Sequence, residues 1–86
     1  MAKSKKATTK DELLMLKLYE MAEKSGDPEA EIDRYDIGKQ IGQAAHAVDT
    51  IIKHLAQANF VKKGEGNAIY LTPNGIALVE QLLTER

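Results

Sequence analysis

The chain contains no cysteine. This absence excludes a disulfide framework, and it also excludes metal sites built on thiolate ligands. A small domain without either support must be stabilised by packing or by association with another chain. Because a cysteine-free composition fits a reducing compartment, we expect a cytoplasmic protein.

Long apolar runs are also missing. None of the uncharged stretches reaches the ~18 apolar residues that a transmembrane helix needs, and the first residues are rich in lysine, unlike a secretory signal. We therefore expect no association with a membrane. The composition is 43% hydrophobic and 29% charged, with two prolines, as in an ordinary globular protein. A chain of 86 residues has room for one domain with one modest core.

The charges are distributed unevenly, although the net charge is only -1. Residues 1–10 contain four lysines and no acid, whereas residues 11–36 contain nine acids against three bases. Residues 37–63 contain one acid against four lysines. The middle of the chain can therefore present a basic face, which is typical of proteins that bind nucleic acid. A solvated face without a ligand is the alternative that charge counting leaves open.

Local signals predict where the domain and its first helix begin. Residues 1–8 are expected to form a flexible lysine-rich arm, followed by a folded domain over residues 9–86. Thr9 and Glu12 have the spacing of a capping box, so a first helix should begin there and run to about Lys24. Glycine and proline in the segment Ser25–Pro28 then end it.

The next segment predicts two helices joined by a tight turn. Ala30–Ile32 is expected to be a short extended piece, and Asp33 is a suitable N-cap for a helix over Arg34–Ile41. Gly42 supplies the turn. Apolar residues then recur with helical spacing over Gln43–Asn59, which predicts a longer third helix.

The last third of the chain predicts a hairpin and a fourth helix. Phe60–Lys63 and Ala68–Leu71 are β-prone and flank a loop with two glycines. Thr72 and Pro73 have the residue types of an N-cap and a first helical position. The predicted fold is α+β and mainly helical: a three-helix core, a small β-hairpin wing and a C-terminal helix, as in a winged helix-turn-helix.

Two motifs strengthen that prediction. A helix-turn-helix needs a small residue where its helices cross, a glycine in the turn and apolar residues on the second helix. Residues 37–42 (IGKQIG), followed by a helix that ends in LAQANFV (55–61), meet these needs, and residues 71–78 (LTPNGIAL) follow the pattern Leu-Thr-x-x-Gly-x-x-Leu. The sequence resembles the bacterial winged-helix transcriptional regulators of the MarR-like and ArsR-like type, over about Asp11–Leu83.

The resemblance implies a small transcriptional regulator that binds double-stranded DNA. In that family the third helix enters the major groove and the wing follows the phosphates. Carried onto this chain, the DNA-contacting residues are Gln43, His46, Asp49, Thr50, Lys53, Lys62, Lys63 and Asn67.

The third helix departs from the family pattern. Ala44 and Ala45 stand where serine and arginine are common, and Asp49 places a negative charge on the face that would meet DNA. Asp49 and Lys53 could equally form an i, i+4 surface ion pair. These departures leave a second hypothesis open: a winged-helix protein–protein interaction module that uses the same face or its acidic first helix, with weak or no DNA binding.

Catalysis is not expected. His46 and His54 are eight residues apart, or about 12 Å along a helix, so they cannot share a metal ion. We expect His54 to be partly packed, and no nucleophile with a neighbouring base can be assembled from the sequence. No cofactor, metal or small-molecule substrate is expected.

A homodimer is expected through the first and last helices. Both helices carry more apolar residues than one small core can bury. The residues predicted to form the shared surface are Leu14, Leu18, Leu78 and Leu82.

Overall fold

The computed structural model describes residues 9–84. The fold of this region is α+β and mostly helical, with four helices and a small three-stranded antiparallel sheet. The elements are α1 (Lys10–Lys24), β1 (Ile32–Asp33), α2 (Arg34–Ile41), α3 (Ala45–Gln57), β2 (Val61–Lys63), β3 (Ala68–Leu71) and α4 (Pro73–Thr84). The predicted N-terminal arm lies outside the described residues.

Helix α1 begins at the predicted cap. The hydroxyl of Thr9 accepts a hydrogen bond from the backbone N–H of Glu12 at 3.1 Å, which satisfies an amide that has no partner within the helix. At the other end, the backbone N–H of Ser25 donates to the carbonyls of Met21 and Ala22, and Gly26 follows with φ +104°. The chain then turns away from the helix axis.

Helices α2 and α3 are joined by a tight turn. Asp33 caps α2 by accepting a hydrogen bond from the N–H of Tyr35 at 2.8 Å, and Gly42 ends α2 in the left-handed region with φ +75°. A Cβ added at Gly38 would lie 2.6 Å from a methyl group of Val48, so α3 crosses α2 where α2 has no side chain. These positions confirm the roles predicted for both glycines.

Helix α3 is two residues shorter at each end than predicted. Ala44 has an extended backbone and occupies the N-cap position, so the helix starts at Ala45. At the other end Asn59 has φ +66°, a left-handed backbone conformation that cannot be part of a right-handed α-helix. Apolar periodicity did not show these ends, because Gln43 and Asn59 fit the pattern without being helical.

The sheet has the strand order β1-β3-β2, with both pairings antiparallel. Ile32 pairs with Ile69 in β3, and Val61 pairs with Leu71. Strand β1 lies later than the predicted segment at 30–32, because Asp33 pairs with Ala68 before it caps α2.

The Leu-Thr-x-x-Gly motif connects the end of α3 to the start of α4. Thr72 donates its hydroxyl to the carbonyl of Asn59 at 2.6 Å and accepts the N–H of Gly75 at 3.0 Å. Its own N–H donates to the carbonyl of Phe60 at 3.0 Å. A Cβ at Gly75 would collide with that same carbonyl, so only glycine lets the two segments approach this closely.

The core lies between α1, the sheet and the other helices. Its fully buried side chains are Leu14, Met15, Leu18, Ile37, Ile52, Ile69, Leu71, Val48, Val61 and Val79. Helix α1 packs against α2, α3, α4 and the sheet, which explains why its apolar residues extend around so much of its circumference. Among residues 9–84, no helix is both long and apolar enough to cross a bilayer.

Part of the predicted dimer surface is therefore wrong. Leu14 and Leu18 are 0% exposed and Leu82 is 6% exposed, so all three belong to the core of the single chain. Leu78 is partly buried against the same core. Among residues 9–84, the most exposed large apolar residues are Leu13 and Leu83, at 40% and 42% exposure.

Candidate nucleic-acid interface

The outer face of α3 carries four of the predicted contact residues. His46, Asp49, Thr50 and Lys53 are all exposed, while Val48, Ile51, Ile52 and Leu55 bury the opposite face. This division follows from the 3.6-residue period of the helix. Gln43 is half-buried in the turn before α3, so it does not share this face as a helical residue.

Two further side chains on α3 are His54 and Thr50. His54 was expected to be partly packed, but it is exposed, because it lies beside the buried stripe and not within it. The hydroxyl of Thr50 donates to the carbonyl of His46 one turn earlier, at 3.1 Å. In residues 9–84, no group of three carboxylate or imidazole side chains has the arrangement of a metal site.

Lys62 and Lys63 are separated by the pleat of β2. Both are exposed, but adjacent side chains on a strand point to opposite faces. Lys63 lines a groove shared with α3, whereas Lys62 lines a different depression beside Tyr70 and Pro73. Of these two lysines, the structure therefore brings only Lys63 towards the predicted contacts on α3.

The groove between α3 and the hairpin is the main concave feature of this face. Its volume is about 600 Å³. Three cationic residues, Arg34, Lys53 and Lys63, line it together with one acid, Asp49. The remaining lining residues are Tyr35, Ile52, Ala56, Gln57 and Asn67. The groove is thus basic in formal charge although the whole chain is slightly acidic.

Asp49 faces the inside of this groove. One carboxylate oxygen accepts a hydrogen bond from the Tyr35 hydroxyl at 2.9 Å and lies 3.3 Å from the guanidinium of Arg34. Asp49 is therefore paired with Arg34, and not with Lys53 as in the alternative considered above. The negative charge of Asp49 is thus balanced by Arg34 within the chain, and it lies at the edge of the outer face of α3.

The contact between Tyr35 and Asp49 shifts the pKa of the Tyr35 phenol. The hydrogen bond to the Asp49 carboxylate raises the pKa of the Tyr35 phenol above its ordinary value of 10.0, with smaller contributions from desolvation and from the charge of Asp49. Deprotonating the phenol would place two negative charges side by side.

Arg34 and Tyr35 were missed by sequence reasoning. Arg34 is the first residue of α2, where the helix dipole disfavours a cation. A cation placed there against the helix dipole is a reason to look for an acidic partner elsewhere in the fold. That signal was present in the sequence, but it did not identify Asp49 as the partner.

The molecule is thus an α+β, mostly helical protein with a basic groove between its third helix and its hairpin. Comparison with known proteins returns no match to a protein-family model, to a curated protein or to a solved structure.

Proposed function

We propose that this protein is a winged helix-turn-helix transcriptional regulator that binds double-stranded DNA through α3 and the β2–β3 hairpin. The observation that carries the proposal is the groove in which Arg34, Lys53 and Lys63 surround a single acid. That acid is already paired with Arg34, so the two lysines supply the uncompensated charge.

The arrangement of elements supports the same proposal. The close crossing of α2 and α3, the left-handed glycine in their turn and the adjacent hairpin are typical of winged helix-turn-helix domains. Helix α3 has 13 residues and is therefore about 20 Å long. Its exposed face would fit a major groove about 12 Å wide.

Binding of this kind is expected to tolerate changes in DNA sequence. Helix α3 contains no arginine for a bidentate contact with guanine, and Arg34 on α2 is held by Asp49 and the hairpin. Lysines that contact phosphates release counterions without distinguishing bases. Affinity should therefore fall with salt in the same way for unrelated duplexes.

The test is a fluorescence anisotropy titration of a random-sequence duplex over a range of salt concentrations. Lys53→Gln should weaken binding and lower the slope of log affinity against log salt by about one. Lys24→Gln is the matched control, because it removes the same charge from α1, away from the groove. Absence of binding at about 50 mM salt, where phosphate contacts are strong, would contradict the proposal.

A protein–protein interaction module is the second candidate. It is favoured by a separate groove of about 620 Å³ between α1 and α4, whose lining includes Leu16, Tyr19, Leu82 and Leu83. An apolar groove is suited to a protein surface and not to phosphates. If the duplex titration is flat while the folded protein is intact, this candidate replaces DNA binding.

A further inference from the structure

Arg34 connects the hairpin to the rest of the domain. The residue is only 9% exposed. Its backbone N–H and its side-chain Nε both donate to the carbonyl of Asn67, each at 3.0 Å. Asn67 lies in the hairpin turn immediately before β3, so the contact holds the start of that strand.

The same guanidinium also reaches α3. Its Nη1 donates to the carboxylate of Asp49 at 3.3 Å, and the ring of Tyr35 lies 6.0 Å from the guanidinium carbon. Because the Tyr35 hydroxyl donates to the same Asp49 oxygen, both donors from α2 meet at one acceptor on α3. A single side chain therefore links the hairpin turn with the edge of α3, across the groove that both elements line.

We propose that Arg34 is a positioning residue that sets the hairpin in place relative to α3, and that Asp49 serves to hold Arg34 and not to read a base. The role in DNA binding rests on the proposed function. The effect on the hairpin is a property of the free protein.

The chemistry of arginine is needed for this role. The Nε that contacts Asn67 and the Nη1 that contacts Asp49 belong to one planar group, so fixing either hydrogen bond orients the other. Lysine carries the same charge but has a methylene group in place of Nε. A lysine at position 34 can approach Asp49, but it has no donor for Asn67 at that point.

Asp49 needs only an acceptor oxygen to perform its part. Its side chain is 49% exposed, so its charge is partly solvated. Asparagine keeps an oxygen that can accept from Tyr35 and Arg34. Asp49→Asn therefore removes the charge while keeping the hydrogen-bonding pattern.

The experiment compares Arg34→Lys, Arg34→Met and Asp49→Asn with the parent in two measurements. Residual dipolar couplings of backbone amides report the orientation of the hairpin relative to α3 in the free protein. Anisotropy titrations with a random duplex report affinity. We expect both Arg34 variants to change the hairpin couplings and to lose about tenfold in affinity, the scale of one broken network contact. Asp49→Asn should keep the parental couplings and bind the duplex more tightly, because it removes a negative charge. Weaker binding would mean that Asp49 contacts the DNA.

The possible outcomes separate the two proposals. If Arg34→Lys keeps parental couplings and affinity while Arg34→Met does not, Arg34 acts as a charge and the positioning role is wrong. Unchanged couplings in both variants also overturn it. If Arg34→Met fails to fold, Arg34→Lys alone decides: parental couplings in that variant would overturn the positioning role. If the parent binds no duplex, the proposed function fails, and the couplings alone decide whether Arg34 positions the hairpin.

Discussion

The effect of Asp49 on the charge of the predicted DNA-binding face depends on the residues beside it. In the sequence it is a negative charge on the predicted DNA-binding face. In the structure it accepts hydrogen bonds from Arg34 and Tyr35, and one of these donors carries a full positive charge. Asp49 therefore lowers the positive potential of the predicted DNA-binding face by less than the sequence suggests, because the guanidinium of Arg34 lies 3.3 Å from its carboxylate.

The phenol of Tyr35 supplies a pH-dependent test of this contact. Its pKa is raised in the folded state, so folding favours the protonated phenol. This contribution to stability should be fully present below the ordinary tyrosine pKa of 10.0 and lost as the pH rises through the raised value. Asp49→Ala removes both the acceptor oxygen and the charge, so it should lower the pKa of Tyr35 towards its ordinary value.

Ring resonances of the tyrosines, followed by NMR during an alkaline titration, measure this change. Tyr19 serves as an internal control. Its pKa is raised mainly by burial and then by Glu23, on a different part of the molecule. A Tyr35 titration that is the same in the parent and in Asp49→Ala would contradict the hydrogen bond.

At the scale of elements, the junction between α3 and α4 depends on Gly75. A methyl group there would collide with the carbonyl of Phe60, which also accepts the N–H of Thr72. A backbone group held by that hydrogen bond cannot move away as a flexible side chain would. We expect Gly75→Ala to lower the free energy of unfolding by about 2 to 3 kcal/mol.

Urea denaturation of the two proteins gives this difference. Ala77→Gly is a suitable comparison on the same helix, because Ala77 is exposed and its loss should cost only about 1 kcal/mol through helix propensity. A Gly75→Ala variant no less stable than Ala77→Gly would show that the two segments can separate without penalty.

The hairpin offers a second comparison at this scale, between two adjacent lysines. Lys63 lines the groove with α3, and Lys62 lies on the other face of β2. If DNA lies against α3 and this groove, Lys63→Gln should weaken duplex binding and lower its salt slope by about one, as expected for one lost phosphate contact. Lys62→Gln should have a smaller effect. Anisotropy titrations of both variants measure the difference, and equal losses would mean that the DNA path crosses both faces of the hairpin.

Features that depend on neighbouring residues could be predicted from the sequence, whereas contacts between distant residues could not. Thr9, Asp33 and Gly42 mark helix ends through contacts with residues a few positions away, so all three could be read from local pattern. The pairing of Arg34 with Asn67 has no local signal, because the hairpin turn is far along the chain. Burial on α1 was misjudged for a similar reason: Leu14 is in the core because three other helices and two strands pack against α1.

The candidate site was predicted in its residues more than in its geometry. His46, Thr50 and Lys53 are exposed on one face, as helical periodicity requires. The separation of Lys62 from Lys63 follows from strand alternation and could have been predicted. The pairing of Asp49 could not be predicted, since Lys53 one turn later was also an acceptable partner. Only the fold brings Arg34 near.

At the scale of the whole molecule, self-association through the first and last helices stays a prediction, now with mostly different residues. The groove between α1 and α4 is lined mainly by apolar side chains, and Leu83 on its border is 42% exposed. We expect concentration-dependent association through this groove, since a second copy would remove that surface from water. Leu83→Lys should weaken it.

Light scattering at tens of micromolar measures the mass of the parent and of the variant. Ala77→Lys introduces the same charge at an exposed position of α4 that does not line the groove, and it should leave the mass unchanged. A parent mass of 9.5 kDa at every concentration would remove the prediction of a homodimer.

The strand order of the sheet also has a consequence for folding. Strands β2 and β3 are joined by a short turn, whereas all of α2 and α3 lies between β1 and β3 in the chain. Closing the longer loop costs more chain entropy, so the hairpin can form before β1 docks on it. The two residue pairs that join β1 to β3 should then be the last part of the sheet to assemble and the first to open in the native state. Because Arg34 follows β1 directly, each opening of that strand would also loosen the attachment of the hairpin turn.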